Sequence, residues 1–262
     1  MLKSLAFLYL PLLLGTACAC QSHSKEQQTI NQTTAPATDS PKKHTTDSTS
    51  TPIRKNGDTI PELEKKMIEQ GLVDIQKVDP TLLVELKYST TDNFVGKDVY
   101  GDLTRAYMQP DMARKLARAN KLLNEIKPGH RLLVYDAARP NSVQYILWDA
   151  LDMPVRQKPQ YVADPKIGSI HNFGCAVDLT VADPAGKPLD MGTKYDYFGP
   201  LAYPRTEQQM LREGKLTTQQ VANRALLRRA MTQAGFSVNP TEWWHFDGMS
   251  RSRAKAKYGM IK

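Results

Sequence analysis

Two stretches of this chain hold the side chains best suited to chemistry: Ser169-Ile-His171-Asn-Phe-Gly174-Cys-Ala-Val-Asp178, and, later, Glu242-Trp-Trp-His245. Together they supply two imidazoles and two carboxylates. A catalytic zinc site needs three protein ligands of the His or carboxylate type, an open position for water, and a nearby base. His171, Asp178 and His245 fit the ligand set for one Zn2+ per chain, and Glu242 fits the base. The chain has five histidines. His23 and His44 fall in a polar N-terminal tract, and two of the remaining three fall in these stretches. Asp178 lies among strand-forming residues, where an unpaired carboxylate is costly.

Local geometry tests the idea. Residues 176–181 (AVDLTV) alternate small or polar with apolar residues, the pattern of a half-buried strand. Asp178 and Thr180 then share one face, and Cys175, Val177, Leu179 and Val181 point into the core. His171 is an odd number of residues from Asp178, so a turn must separate them. Asn172-Phe173-Gly174 offers one, because Gly and Asn tolerate positive φ. Glu242 and His245 would share a helix face, whereas Trp243, Trp244 and Phe246 favour a strand. Either geometry fits the sequence.

These residues carry a resemblance. The chain resembles the D-alanyl-D-alanine dipeptidases of the VanX type, within the zinc DD-peptidases that share S-x-H-x-x-G-x-A-x-D and E-x-x-H. Ser169, His171, Gly174, Ala176, Asp178, Glu242 and His245 match without a gap. Further matches are residues 86–94 (LKYSTTDNF), 136–140 (DAARP) and 191–196 (MGTKYD), so the similarity spans residues 73–248. The resemblance implies an α+β fold, with a central antiparallel sheet carrying the zinc site and helices packed on its outer face. It assigns Arg139 to stabilising the oxyanion of the attacked carbonyl, work suited to a fixed guanidinium. It assigns Asp196 to the free amino terminus of the substrate, which an anion is needed to hold, and Ser169 to a substrate hydrogen bond. Read without it, Arg139 is an ion-pair residue near Asp136, Asp196 a turn residue, and Ser169 a backbone cap.

The implied activity is hydrolysis of the D-alanyl-D-alanine dipeptide. One alternative is a peptidoglycan DD-carboxypeptidase or endopeptidase with the same zinc site. From other classes come a non-catalytic peptidoglycan-binding zinc module, which has no need of Glu242, and an envelope tether in which the motifs only pack.

The rest of the chain supports an exported domain. A basic start and an apolar run over residues 4–14 read as a signal peptide over 1–19. Cleavage after Ala19 and lipidation at Cys20 or Cys18 are both open, so periplasm or cell envelope is expected, with membrane contact only through such a lipid anchor. Residues 20–58 hold almost no large apolar side chains and read as a disordered polar tether. The enzyme domain is then 59–262.

Within it, helices are expected over 61–71, 110–126, 141–151 and 217–234, the last opened by a Thr217–Gln220 capping box with Val221, Ala225, Leu226, Ala230 and Met231 inward. Strands are expected over 73–78, 82–88, 131–135 and 236–238, and a solvated basic tail over 251–257. The formal charge of +8 is spread along the chain with no nucleic-acid module. It suits loose association with anionic envelope polymers. Cys175, the one cysteine outside the export signal, is expected in the core.

Overall fold

The computed structural model describes residues 60–262. The leader, Cys18, Cys20 and the tether at 20–58 therefore lie outside the described residues. Among the described helices none is long and apolar enough to cross a membrane.

In chain order the elements are α1 (Glu62–Glu69), β1 (Val73–Asp74), α2 (Ile75–Val78), β2 (Leu83–Val84), β3 (Tyr107–Met108), α3 (Pro110–Ile126), β4 (Arg131–Asp136), α4 (Asn141–Asp149), β5 (Ala176–Ala182), α5 (Glu207–Arg212), α6 (Thr218–Gln233), β6 (Ser237–Val238), β7 (His245–Asp247) and α7 (Arg251–Lys257). Five strands form one sheet in the order β2-β4-β5-β7-β6, while β1 and β3 form a separate antiparallel pair. The expected central antiparallel sheet is present over four of these strands. The fifth, β2, runs parallel to β4. A parallel pair needs a long crossover, and the chain between β2 and β4 supplies it through α3.

Helix α3 forms over the expected span and buries Met112, Leu116, Ala119 and Leu123. It packs on α6 and touches β4, while α6 touches β5. Strand β5 is buried along its whole length, so Asp178 and Thr180 face a covered surface and not solvent.

Three expectations need correction. The strand at 73–78 stops at Asp74, whose carboxylate accepts the Gln76 amide at 2.9 Å and starts α2. The strand at 82–88 stops at Val84, and Lys87–Ser89 form a 3-10 turn. The capping box of α6 forms, but the inward residues are Asn223, Arg224, Leu227, Ala230 and Met231, with Ala225 exposed. That phase lets Asn223 and Arg224 donate to the Asp190 and Met191 carbonyls at 2.8 and 2.7 Å. The basic tail is solvated as expected except at Ala254, which is buried, and it forms the helix α7, capped by Ser250.

Cys175 is buried as expected, and burial pushes its thiol up to about 12. The turn before it depends on Gly174 at φ +65°, where a Cβ would meet Leu72 Cδ2 at 2.8 Å. Gly174→Ala is expected to cost roughly 2–5 kcal/mol, combining left-handed strain with overpacking. Gly214→Ala, at φ +68° in open space, should cost about 1–2 kcal/mol from strain alone. Denaturant unfolding of the two variants checks the difference.

Candidate metal centre and active-site cleft

Strand register builds most of the site. Asp136 on β4 pairs with Asp178 on β5, and Asp178 pairs with His245 on β7. Directly opposed residues on neighbouring strands project from the same face, so one rung of the sheet carries two carboxylates and an imidazole. His171 arrives from the 3-10 turn Ile170–Phe173, which Ser169 caps and Gly174 ends in the left-handed region.

The three expected ligands converge. His171 Nε2 lies 3.1 Å from His245 Nδ1 and 3.3 Å from Asp178 Oδ1. His245 Nδ1 is 3.0 Å from the same Asp178 oxygen. One ligand atom from each of the three residues lies within 4.8 Å of the others.

Their partners fix the tautomers. His171 Nδ1 is 2.6 Å from the Ala137 carbonyl, which can only accept, so this nitrogen carries the proton. His245 Nε2 donates to Asp247 Oδ1 at 2.9 Å. In the neutral rings both lone pairs therefore face Asp178 Oδ1. Two lone pairs and a carboxylate oxygen at such range repel unless a positive charge lies among them. Burial works against charge on His245, but hydrogen bonds to Asp178 and Asp247 outweigh it and hold its pKa well above the ordinary imidazole value. Burial also opposes ionisation of Asp178, yet the His171 charge and hydrogen bonds from both imidazoles hold it well below the usual carboxylate range. The site demands positive charge, and a nitrogen, nitrogen, oxygen donor set is one that zinc accepts. The residues fit the metal.

The second oxygen of Asp178 is held separately: Tyr195 donates to Oδ2 at 2.9 Å, and Arg139 Nη2 is 3.6 Å away. Arg139 is itself immobilised. Its Nε donates to Asp136 Oδ2 at 2.8 Å, its Nη1 to Gln144 at 3.0 Å, and its guanidinium lies 5.1 Å from the Tyr88 ring centre. Asp136 also accepts the Tyr100 hydroxyl at 2.6 Å. Burial works against the charge on Arg139, but Asp136 more than offsets it and raises its pKa well above the ordinary value.

Glu242 precedes a bend at Trp243 and Trp244 that leads into β7, so the pair is not helical, and the bend that a strand needs between them is present. Its Oε2 is 3.7 Å from His245 Nδ1 and accepts from Asn239 at 3.1 Å. Burial raises its pKa, with Asp178 adding and His245 opposing. Asp196 has φ +58°, the one positive value among the described non-glycine residues. It accepts from the Tyr88 hydroxyl at 3.3 Å and from the Phe94 amide at 3.4 Å. Burial and the nearby Asp178 charge push its pKa well above the usual range.

Glu242, Asp196, Arg139, Ser169 and the three ligand residues all line one cleft of about 350 Å³. Ser169 reaches it while its hydroxyl accepts the His171 amide at 3.4 Å, so the cap is formed as well. Asp247, Tyr195 and Gln144 were not singled out from sequence. Asp247 had a signal: it stands two residues beyond His245 on a strand, hence on the same face.

The sequence comparisons agree with one another. A family model described as D-Ala-D-Ala dipeptidase matches residues 68–259. A D-alanyl-D-alanine dipeptidase from Escherichia coli (strain K12) is 36% identical over 176 residues, covering 67% of this chain and 83% of the relative. Its counterpart from Synechocystis sp. is 30% identical over 180 residues, covering 58% and 72%. One from Enterococcus faecium is 26% identical over 197 residues, covering 68% and 92%. With so much of the described fold matched, the chain belongs to the M15 peptidase family of D-Ala-D-Ala dipeptidases.

Proposed function

We propose that this protein hydrolyses the D-alanyl-D-alanine dipeptide with one zinc ion held by His171, Asp178 and His245. The observation that carries the reading is the convergence of two oriented imidazole nitrogens and a carboxylate oxygen beside Glu242, in a cleft that also presents Arg139 and Asp196. The chemistry supplied by a bound zinc ion is Lewis-acid activation of water and of the scissile carbonyl.

The protein's own groups do the rest. Glu242 takes the proton of the attacking water and returns it to the departing amine, a task helped by burial, which raises its pKa above the ordinary carboxylate value. Arg139, locked by Asp136 and Gln144, faces the negative charge that develops on the carbonyl oxygen. Its rigidity means that little reorganisation is needed at the moment of reaction. Asp196, held by Tyr88 and Phe94, opposes the substrate ammonium. Phe94 and Phe198 pack edge to face, and Tyr161 packs at a tilt against Phe198, so aromatic rings wall the same cleft. Ser169 hydrogen-bonds the amino end of the dipeptide.

The apolar N-terminal run and the polar tract after it support export to the periplasm or cell envelope, with Cys20 or Cys18 as the lipid attachment point. Free D-Ala-D-Ala there is a product of wall turnover, so the proposed role is recycling or scavenging.

Purified protein incubated with D-Ala-D-Ala, N-acetyl-D-Ala-D-Ala and a stem pentapeptide tests the reading. Cleavage of the free dipeptide alone, lost on chelation and restored by zinc, is expected. Cleavage of the blocked or longer peptide moves the assignment to a carboxypeptidase, and turnover of none of them leaves a binding module.

Glu242→Gln should lower kcat by about 10²–10⁴ while zinc content stays at one per chain. Asp247→Ala should weaken zinc binding by about 10–100-fold, read by chelator competition. Glu242 and Asp196 both act as anions and both have raised pKa values. The ratio kcat/KM should therefore fall as pH drops, starting above the ordinary carboxylate range. A profile flat down to pH of about 4 contradicts this.

A further inference from the structure

Resting on that reading, we propose that Asn172 is a positioning residue that sets the spacing between the metal-ligand turn and Arg139, and that Ile261, which follows α7, holds it in place. Asn172 follows His171 directly and is fully buried. Both ends of its side chain are used. Its Oδ1 accepts the Ser169 amide at 2.6 Å, and its Nδ2 donates to the Arg139 carbonyl at 2.8 Å. The Arg139 amide in turn donates to the His171 carbonyl at 3.1 Å. Arg139 is thus clamped at both its backbone N–H and its C=O by the adjacent residues His171 and Asn172.

The clamp extends to the end of the chain. Ile261, fully buried, donates its amide to the Asn172 carbonyl at 2.8 Å and accepts the Asn141 amide at 2.7 Å. It therefore bridges the turn that bears His171 and the first residue of α4, two positions after Arg139. Met260 fills the space beside Gly168, where a Cβ would lie 2.6 Å from Met260 Cε. Residues 139–141, 168–174 and 260–261 close into one hydrogen-bonded ring around the metal-ligand turn.

Only an amide of this length suits position 172. The side chain must accept at one end and donate at the other. An aspartate sets a second acceptor against the Arg139 carbonyl, and alanine leaves a buried amide and a buried carbonyl unpartnered. A shift of the turn changes both the direction of the His171 lone pair and the distance from Arg139 to the reacting carbonyl. Such misplacements reduce chemistry more than binding.

Two variants test this: Asn172→Asp, and Ile261→Pro, which removes one N–H at the chain end. Zinc affinity by chelator competition, kcat and KM with D-Ala-D-Ala, and thermal melting of the metal-free protein are all measured. The expected result is zinc binding weaker by about tenfold or more and kcat lower by about tenfold or more, with KM within about threefold. A lower melting temperature alone, with zinc affinity and kcat unchanged well below melting in whichever variant folds, overturns the proposal. If the wild type binds zinc but cleaves none of the peptides, the proposed activity fails while the zinc-affinity arm still decides the role of Asn172.

Discussion

Electrostatic demand within one rung of a β-sheet organises this protein. Asp136, Asp178 and His245 are aligned by the pairing of β4, β5 and β7, in a region where charge is poorly solvated. A buried carboxylate is stable only when paired or hydrogen-bonded, and two carboxylates in one row need two positive partners. The structure gives each carboxylate its own principal partners. Asp136 is neutralised by Arg139, and Asp178 faces the two imidazoles. The sharing is imperfect by design of the geometry, since Arg139 also approaches Asp178 at 3.6 Å. The guanidinium and the metal-ligand set therefore belong to one electrostatic unit.

That unit explains which features could be read from the letters alone. The His171-to-Asp178 segment was legible because its parts are local. Gly174 ends the turn, alternation marks the strand, and the spacing fixes the relation between them. The family likeness then brought Glu242 and His245 to the same place, although their conformation was not written in their spacing. Glu242 stands just before the bend at Trp243 and Trp244, and His245 is the first residue of a three-residue strand held in register with β5.

Where the reading failed, tertiary contacts had overridden local pattern. Arg224 is fully buried in α6 although nothing in a helical hydrophobic stripe predicts a buried arginine. It turns inward to bind the Met191 carbonyl and to lie near Trp243, whose indole donates to Thr193 at 2.7 Å. These bonds hold the loop that leads to Tyr195 and Asp196. The basic segment from Arg251 read only as a solvated end, with no helix expected. Its helix is secured by long-range partners, including Lys257 to Asp111 at 2.8 Å and the buried Ile261. Composition registers neither.

The outermost strands of the five-stranded sheet, β2 and β6, are two residues each. A row of free backbone donors and acceptors is a template for another chain, and proteins blunt such borders by keeping them brief. Here the long, largely buried ladder of β4 and β5 is flanked on both sides before it meets solvent. The rung of Asp136, Asp178 and His245 thus occupies the interior of a sheet whose margins offer only short edges for strand addition.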